Sequence, residues 1–214
     1  QLKPKRTTEQ LASLTSKQEN VSVQTSKQWK RMSSGKYIAL NQWWEWNPDI
    51  SDINTSLNQM RRFNGHHKDK EPLTVAQHSY LCMKIAETMF PNNKDVMLGC
   101  LVHDWPEAYY GDIATPFKKM MGEDLKKVTE PIDNAVYGAF LEEDFDMELL
   151  ELEVKICDLL ALDIERRNMW KSTYGVDKWP EVPSSPFSAQ DKTDLFDEAQ
   201  KGPVDMVKLY KEYS

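Results

Sequence analysis

Apolar residues recur at helical spacing along much of the chain. From Asp49 to Phe63 they fall at three- and four-residue intervals, at Ile50, Ile53, Leu57 and Met60. This period is typical of one face of a helix. Similar patterns predict helices at about residues 75–90, 94–105, 147–170 and 188–200, and another towards residue 214. No segment carries a convincing strand pattern, although residues 33–40 are short and partly extended. We therefore predict an all-α helical bundle.

Local signals mark several helix boundaries. Thr74 and Gln77 form a capping box, in which the N-cap hydroxyl and the side chain three residues later satisfy each other's backbone N–H groups. Pro91-Asn92-Asn93 closes the helix that follows, at about Phe90. Pro106 disfavours continuation of the helix that begins near Lys94.

The two ends of the chain differ in character. Residues 1–33 are rich in Lys, Gln, Ser and Thr, which predicts a flexible N-terminal arm. Residues 34–214 are predicted to form a single domain with a C-terminal helical extension. Trp43, Trp44 and Trp46 stand near its beginning. They either cover part of a binding pocket or bury against the bundle or a neighbouring subunit.

The overall charge narrows the classes of partner. A formal net charge of -7 argues against a broad surface for nucleic acid. This negative net charge still permits a small anionic substrate, provided that cations or a metal lie in the binding pocket.

No apolar run approaches the roughly 18 residues of a membrane span. The three cysteines, an odd number without a CxxC pair, are typical of buried thiols in a reducing compartment. We therefore expect a cytoplasmic protein without a membrane partner.

Four ionisable residues lie on faces that otherwise carry apolar side chains. His78 shares its face with Leu81, Cys82, Ile85 and Met89, and similar neighbours accompany His103, Asp104 and Asp158. A buried imidazole or carboxylate must be paired or bound to a metal. Each of them alone could be a satisfied core residue. Together they favour a first-row divalent metal, with positions left for water and a phosphate oxygen. Such an ion lowers the pKa of bound water towards about 7.

The order His78, His103-Asp104, Asp158 resembles the H…HD…D pattern of HD-domain phosphohydrolases. Two further segments, Val75-Ala76-Gln77-His78-Ser79 and the run from His103 to Lys118, are similar to motifs of the 5′-deoxynucleotidase branch. Two segments look like the phage and prophage members, which include dATP and dNTP triphosphohydrolases. They are Ser34-Gly35-Lys36 and Ile53 to His66, which ends in Arg62-Phe63-Asn64-Gly65-His66. The resemblance covers about residues 33–170.

The resemblance implies a role for each matching residue. It places a catalytic divalent ion, Zn, Co or Mn, on His78, His103, Asp104 and Asp158, with Mg as a candidate for a second site. It makes Glu107 the group that faces the attacking water or the leaving oxygen, and it lets Asp112 orient substrate or a second ion. The substrate-binding residues would be Arg62 and Lys118 on phosphate, Phe63 near the sugar, and His66. Bacterial relatives often have Trp at the position of Phe63.

The implied function is metal-dependent hydrolysis of a deoxynucleotide by a cytoplasmic homo-oligomer, in the host cytoplasm if the chain is phage-encoded. The segments that resemble the phage members favour a triphosphohydrolase that releases deoxynucleoside and triphosphate. Four alternatives stay open: a 5′-deoxynucleotidase on monophosphates, another HD chemistry on cyclic or signalling nucleotides, a metal-stabilised helical interaction module without activity, and nucleic-acid binding. The motif from Arg62 to His66 argues against another HD chemistry, and the Glu107 and Lys118 side chains argue against an inactive module. The negative net charge argues against nucleic-acid binding.

Overall fold

A computed structural model describes residues 27–142, 145, 150–170 and 175–214. Most of these residues are helical, which confirms the predicted all-α class. Most of the predicted arm, residues 1–26, lies outside the described residues. So does the start of the helix predicted at 147–170, of which residues 147–149 are not described.

The α-helices are named here in chain order. They are α1 (Ile50–Gln59), α2 (Val75–Met89), α3 (Lys94–Val102), α4 (Glu107–Tyr110), α5 (Thr115–Met121), α6 (Glu123–Phe140), α7 (Glu151–Met169), α8 (Ala189–Ala199) and α9 (Met206–Tyr213). Short 3-10 segments lie at Leu40–Glu45, Arg62–Gly65 and Val176–Lys178.

The centre of the bundle is α2, which packs against α1, α3, α7 and α8. Its start is the predicted capping box, because the Thr74 hydroxyl accepts from the Gln77 N–H and the Gln77 side chain accepts from the Thr74 N–H. Large apolar side chains on α1, α2, α3, α7 and α8 are fully buried around it, including Ile53, Leu57, Leu81, Leu101, Ile164 and Phe196. Each such side chain stabilises the fold by about 1.5–3 kcal/mol.

A two-stranded hairpin precedes the bundle. Strand β1 (Trp29–Arg31) pairs antiparallel with β2 (Tyr37–Ala39), and Gly35 takes the positive φ of 87° that the turn requires. Asp52 of α1 anchors the turn by accepting hydrogen bonds from the hydroxyls of Ser33 and Ser34 and from the Ser34 N–H. The last residues of the predicted arm are therefore part of the fold, and the absence of strands was wrong for this short sheet.

Five helices differ from the prediction. α1 ends at Gln59, because Met60 and Arg61 are extended and Arg61 makes a β-bridge to Thr74. α3 ends at Val102, so that His103 and Asp104 stand in the turn after it. No helix was predicted where α4, α5 and α6 form.

The tryptophans near the N-terminus divide into two environments. Trp46 stacks on Tyr109 and donates its indole N–H to the Ala39 carbonyl, whereas Trp43 and Trp44 remain exposed. Within the described residues, no helix combines the length and apolarity needed to cross a membrane.

Candidate metal centre

His78 lies at the centre of a buried polar cluster. Its side chain has no exposed surface, and α2 carries it into the space between α3 and α7. Its Nε2 is 3.3 Å from Oδ1 of Asp158 on α7 and 3.5 Å from Sγ of Cys82, one turn later on α2. The helices therefore bring two of the four predicted ligands into direct contact.

His103 approaches the same point from the end of α3. Its Nδ1 lies 2.8 Å from the Cys100 carbonyl, which only accepts, so Nδ1 donates this hydrogen bond and Nε2 faces the cluster. Nε2 is buried and makes no hydrogen bond with the described part of the chain. The imidazole rings of His103 and His78 are 5.5 Å apart. Tyr137 of α6 donates to the His103 carbonyl at 2.7 Å and holds this turn in place.

The spacing of these atoms fits one ion. Ligand atoms of His78, Cys82, His103 and Asp158 all lie within 4.8 Å of one another. Two oxygen or nitrogen ligands at about 2.1 Å from a tetrahedral ion are about 3.4 Å apart, and a nitrogen and a thiolate are about 3.6 Å apart. The distances at His78, 3.3 Å to Asp158 and 3.5 Å to Cys82, match these edges. The residues present therefore fit a small divalent metal.

Asp104 stands at the edge of this group. Its Oδ2 is 3.3 Å from His103 Nε2 and 3.8 Å from His78 Nε2. It also faces the Arg62 guanidinium at 3.6 Å. The Asp104 carboxylate thus lies near both imidazoles and also pairs with the Arg62 guanidinium.

The electrostatics of the cluster favour a bound cation. Burial and Arg62 act to lower the pKa of His78, yet neighbouring groups including Cys82, Glu165 and Asp158 raise it well above its usual value. Burial acts to raise the pKa of Asp158, but His78 holds it well below the usual range. In the metal-free protein the proton on His78 therefore supplies positive charge that these anions require, and a divalent ion would replace it.

Glu165 is a member of the site that the sequence analysis missed. It lies on α7 two turns after Asp158, fully buried, with Oε2 3.3 Å from His78 Nδ1 and Oε1 3.0 Å from Arg62 Nε. A carboxylate behind the ligand imidazole fixes the ring and strengthens its free nitrogen as a donor. Glu165 follows Asp158 by seven residues, and this spacing places both carboxylates on one face of a helix. The sequence therefore contained a signal for Glu165 as a member of the site.

A second polar group adjoins the cluster. Glu107, the first residue of α4, is 2% exposed and accepts a hydrogen bond of 3.1 Å from Lys118 on α5. Burial and Asp104 raise the pKa of Glu107 to about 9, against the opposing influence of Lys118. Asp112 is half-buried near them, and burial raises its pKa while Arg62 opposes the shift. The Lys118 side chain is 43% exposed, so its ammonium also faces the solvent side of the site.

Lys30 supports α4 from behind and was also missed. Its ammonium donates to the carbonyls of Ala108 at 3.0 Å and Tyr109 at 2.7 Å. It thereby ties β1 to the helix that begins with Glu107. A single lysine in a polar segment carries no sequence signal for such a contact.

Phe63 and Asn64 adopt an unusual backbone beside the cluster. Both have positive φ, 55° and 52°, which costs about 1–3 kcal/mol per residue and is concentrated at functional sites. The Phe63 ring packs edge-on against Trp170 at 5.4 Å and Trp179 at 6.0 Å. The Arg62 guanidinium lies 5.4 Å from the same ring, which connects this aromatic cluster of Phe63, Trp170 and Trp179 to the metal site.

His66 stands apart from these groups. Its backbone N–H closes the 3-10 turn on the Phe63 carbonyl, and its side chain is exposed. In the described ranges, no hydrogen bond or ion pair joins that side chain to the cluster. The fold thus brings together the predicted ligands, Glu107, Asp112, Lys118, Arg62 and Phe63, and leaves His66 at the surface.

Similarity to known proteins is limited to part of the chain. No family model matches it. It is 34% identical over 121 residues to the uncharacterised protein YfdR of Escherichia coli K12, covering 56% of this chain and 60% of that protein. It is 30% identical over 113 residues to an uncharacterised protein of Rhodobacter capsulatus, covering 52% of this chain and 58% of that protein. The matched segments thus span about three fifths of these relatives.

Proposed function

We propose that this chain is a metal-dependent phosphohydrolase of the HD type that acts on deoxynucleotides. The reaction that we favour is that of a dNTP triphosphohydrolase of the dATP type, which releases deoxynucleoside and triphosphate. One observation carries the proposal. Metal-competent side chains from three parts of the bundle meet in one buried cluster, and a buried acid with its own cation, Glu107 and Lys118, lies beside it.

The groups beside the cluster favour an enzyme over a metal-stabilised structural module. A structural site closes its coordination sphere with protein ligands and needs no further acid or cation. Here Glu107 and Asp112 are held in positions where burial raises their pKa, which is typical of residues that exchange protons or bind substrate. A purely structural metal site does not explain why two acids with raised pKa values lie beside the cluster.

A divalent ion bound to the cluster would polarise a phosphate oxygen and activate water for attack on phosphorus. Because burial raises the pKa of Glu107 to about 9, Glu107 would hold a proton near neutral pH and could donate it to the departing 5′ oxygen. Lys118 keeps Glu107 in place and directs its remaining donors at the phosphoryl oxygens. Arg62 adds positive charge close to Asp104, where charge develops in the transition state.

The aromatic cluster supplies the other end of a nucleotide site. The Phe63 ring lies 5.4 Å from the Arg62 guanidinium and packs against Trp170 and Trp179, and bases stack on aromatic rings with about 1–3 kcal/mol each. A deoxynucleotide with its phosphate at the metal would place its sugar and base towards these rings.

The number of cations favours a triphosphate over a monophosphate. Lys118 on α5 and Lys155 on α7 flank the cluster, and the Lys155 ammonium lies 2.6 Å from Oδ2 of Asp158 while its side chain remains largely exposed. A monophosphate bound to the metal and Lys118 needs no further cation, whereas a triphosphate does. The 5′-deoxynucleotidase reaction stays the alternative, because the attack at phosphorus is the same.

Product analysis with the purified chain tests the proposal. Deoxynucleoside mono-, di- and triphosphates are incubated with Co, Mn, Zn or Mg, and the released phosphate species are identified. We expect deoxynucleoside and triphosphate from dATP, and no product after chelation. Release of orthophosphate from deoxynucleoside monophosphates would show that the activity is that of a 5′-deoxynucleotidase and not of a triphosphohydrolase. No phosphate release with any of the four metals would overturn the proposal.

A further inference from the structure

We propose that Tyr110 and Asp133 act as a positioning pair that fixes Glu107 relative to the metal cluster. The inference rests on the proposed function and deepens it, because it assigns the residues that keep the acid at a constant distance from the metal ligands. Both side chains are partly buried, and they lie on different helices, α4 and α6.

Glu107 lies on a helix that is too short to hold its own position. α4 has four residues, about one turn, and a helix of this length is not stable by itself. It begins after Pro106, whose side chain cannot accept a hydrogen bond, and it ends at Gly111 with a φ of 95°. The direction of the Glu107 carboxyl group therefore depends on the tertiary contacts of α4.

Tyr110 makes one of these contacts on the face that carries Glu107. The two residues are three positions apart in α4, so their side chains are neighbours on the helix surface. The Tyr110 hydroxyl donates to Oδ1 of Asp133 on α6 at 2.9 Å. This bond therefore restrains rotation of the turn that carries the acid.

The same helix, α6, also holds the turn with the metal ligands. Tyr137 follows Asp133 by four residues, which places both on one face of α6. Its hydroxyl donates to the His103 carbonyl at 2.7 Å. α6 thus binds the chain before Glu107, at His103, and after it, at Tyr110. One helix therefore sets the separation between the metal ligands and the acid.

The charges around Asp133 connect this pair with the rest of the site. Burial raises the pKa of Asp133, while Tyr110 and Lys118 act to lower it. The cation that binds Glu107 therefore also acts on the Asp133 carboxyl group. Asp133 thus lies beside the Glu107–Lys118 pair and not in a remote part of α6.

Kinetics of the whole chain with Co(II) and dATP test the assignment. Tyr110→Phe keeps the ring and removes the hydroxyl. We expect kcat to fall by about 10–100-fold, because a small displacement of a catalytic group has an effect of this size. KM and the affinity for Co(II) should stay at their wild-type values, since the metal ligands and the aromatic cluster are intact.

Variants at Asp133 separate positioning from a general loss of packing. Asp133→Ala should lower kcat as Tyr110→Phe does, whereas Asp133→Asn should retain most of the turnover, because its amide oxygen still accepts from Tyr110. Tyr213→Phe is the matched control, since Tyr213 makes the same kind of bond to Glu87 at 2.8 Å, between α9 and α2. It should keep the wild-type kcat.

Three results would overturn the inference. They are an unchanged kcat in Tyr110→Phe, equal losses in Asp133→Asn and Asp133→Ala, and a loss of the same size in Tyr213→Phe. If Asp133→Ala does not fold, Tyr110→Phe takes its place in the comparison with Asp133→Asn.

Hydrogen exchange of the metal-free protein distinguishes this inference from the proposed function. The Gly111 N–H closes α4 by donating to the Glu107 carbonyl at 2.7 Å. In Tyr110→Phe the amides of α4 should exchange at least ~10-fold faster than in the wild type, while those of α2 keep their rates. A wild type that hydrolyses no deoxynucleotide would remove the proposed function. Equal exchange of α4 in the wild type and in Tyr110→Phe would remove only the positioning pair.

Discussion

The Nδ1 atom of His78 lies 3.3 Å from a carboxylate oxygen of Glu165, and both side chains are completely buried. This contact joins the middle of α2 to the second half of α7. It determines which imidazole nitrogen is directed at Asp158 and Cys82. Since Glu165 also faces Arg62 at 3.0 Å, one buried anion holds both His78 and Arg62 in place.

Glu165→Gln should weaken metal binding without unfolding the protein. The substitution keeps the shape of the side chain but removes the negative charge that makes the His78 imidazole a stronger ligand for a metal. We expect zinc affinity to fall by about 10–100-fold, measured by competition with a chromophoric chelator. Glu151→Gln, an exposed glutamate on the same helix, is the matched control and should leave affinity unchanged. Equal affinities for the two variants would remove Glu165 from the site.

His103→Ala and Asp104→Ala should each abolish bound metal and hydrolysis together. Both residues stand in the turn after α3, where His103 Nε2 and Asp104 Oδ2 are 3.3 Å apart. Metal content by atomic spectroscopy and turnover of dATP measure the two effects. Asp95→Ala, on the exposed start of α3, serves as control. Full turnover after chelation of the wild type would contradict the mechanism.

Glu107→Gln should retain the metal and lose most turnover, because the amide cannot exchange the proton. Normal turnover of this variant would remove the role given to Glu107. Glu123→Gln, exposed at the start of α6, should behave as wild type.

The same variant should also change how stability depends on pH in the metal-free protein. Burial raises the folded-state pKa of Glu107 from 4.5 to about 9, so folding favours its protonated form. That contribution is complete below pH 4.5 and is lost as the pH rises through 9. Relative to Glu107→Gln, the wild-type free energy of unfolding should fall between these limits by at most about 1.4 kcal/mol per pH unit. Urea unfolding in chelator from pH 5 to 9 measures the difference, and a constant difference would show that the pKa is not raised.

Trp170→Ala should weaken substrate binding and leave the metal in place. Its ring packs against Phe63 at 5.4 Å, and loss of one stacking partner corresponds to a rise in KM of about 5–100-fold. A base-free deoxyribose triphosphate should be affected much less than dATP. Trp44→Ala, an exposed tryptophan outside the aromatic cluster, controls for the loss of a large ring. An equal loss for both substrates would show that the ring does not contact the base.

Local interactions explain what was predictable from the sequence. The helical period of α1 and α2 and the capping box at Thr74 depend on residues within one turn of each other, so the chain encodes them directly. The inward direction of His78 follows from the same period. The Phe63 and Asn64 turn was not predictable, because an aromatic residue such as Phe63 rarely adopts positive φ and tertiary contacts must stabilise it. In α6, Pro131 argues locally against a helix, yet Ile132 and Val136 are buried beside it.

The sequence by itself determined the helical class, the polar residues placed on apolar faces, and hence the kind of chemistry to expect. Only the tertiary structure decided that Cys82 and Glu165 share contacts with His78, that Asp104 is divided between the imidazoles and Arg62, and that His66 stays at the surface. The physical reason is the range of the forces. Helical period and capping act over three or four residues, whereas the distances within the cluster depend on how α2, α3 and α7 pack, which the whole core determines.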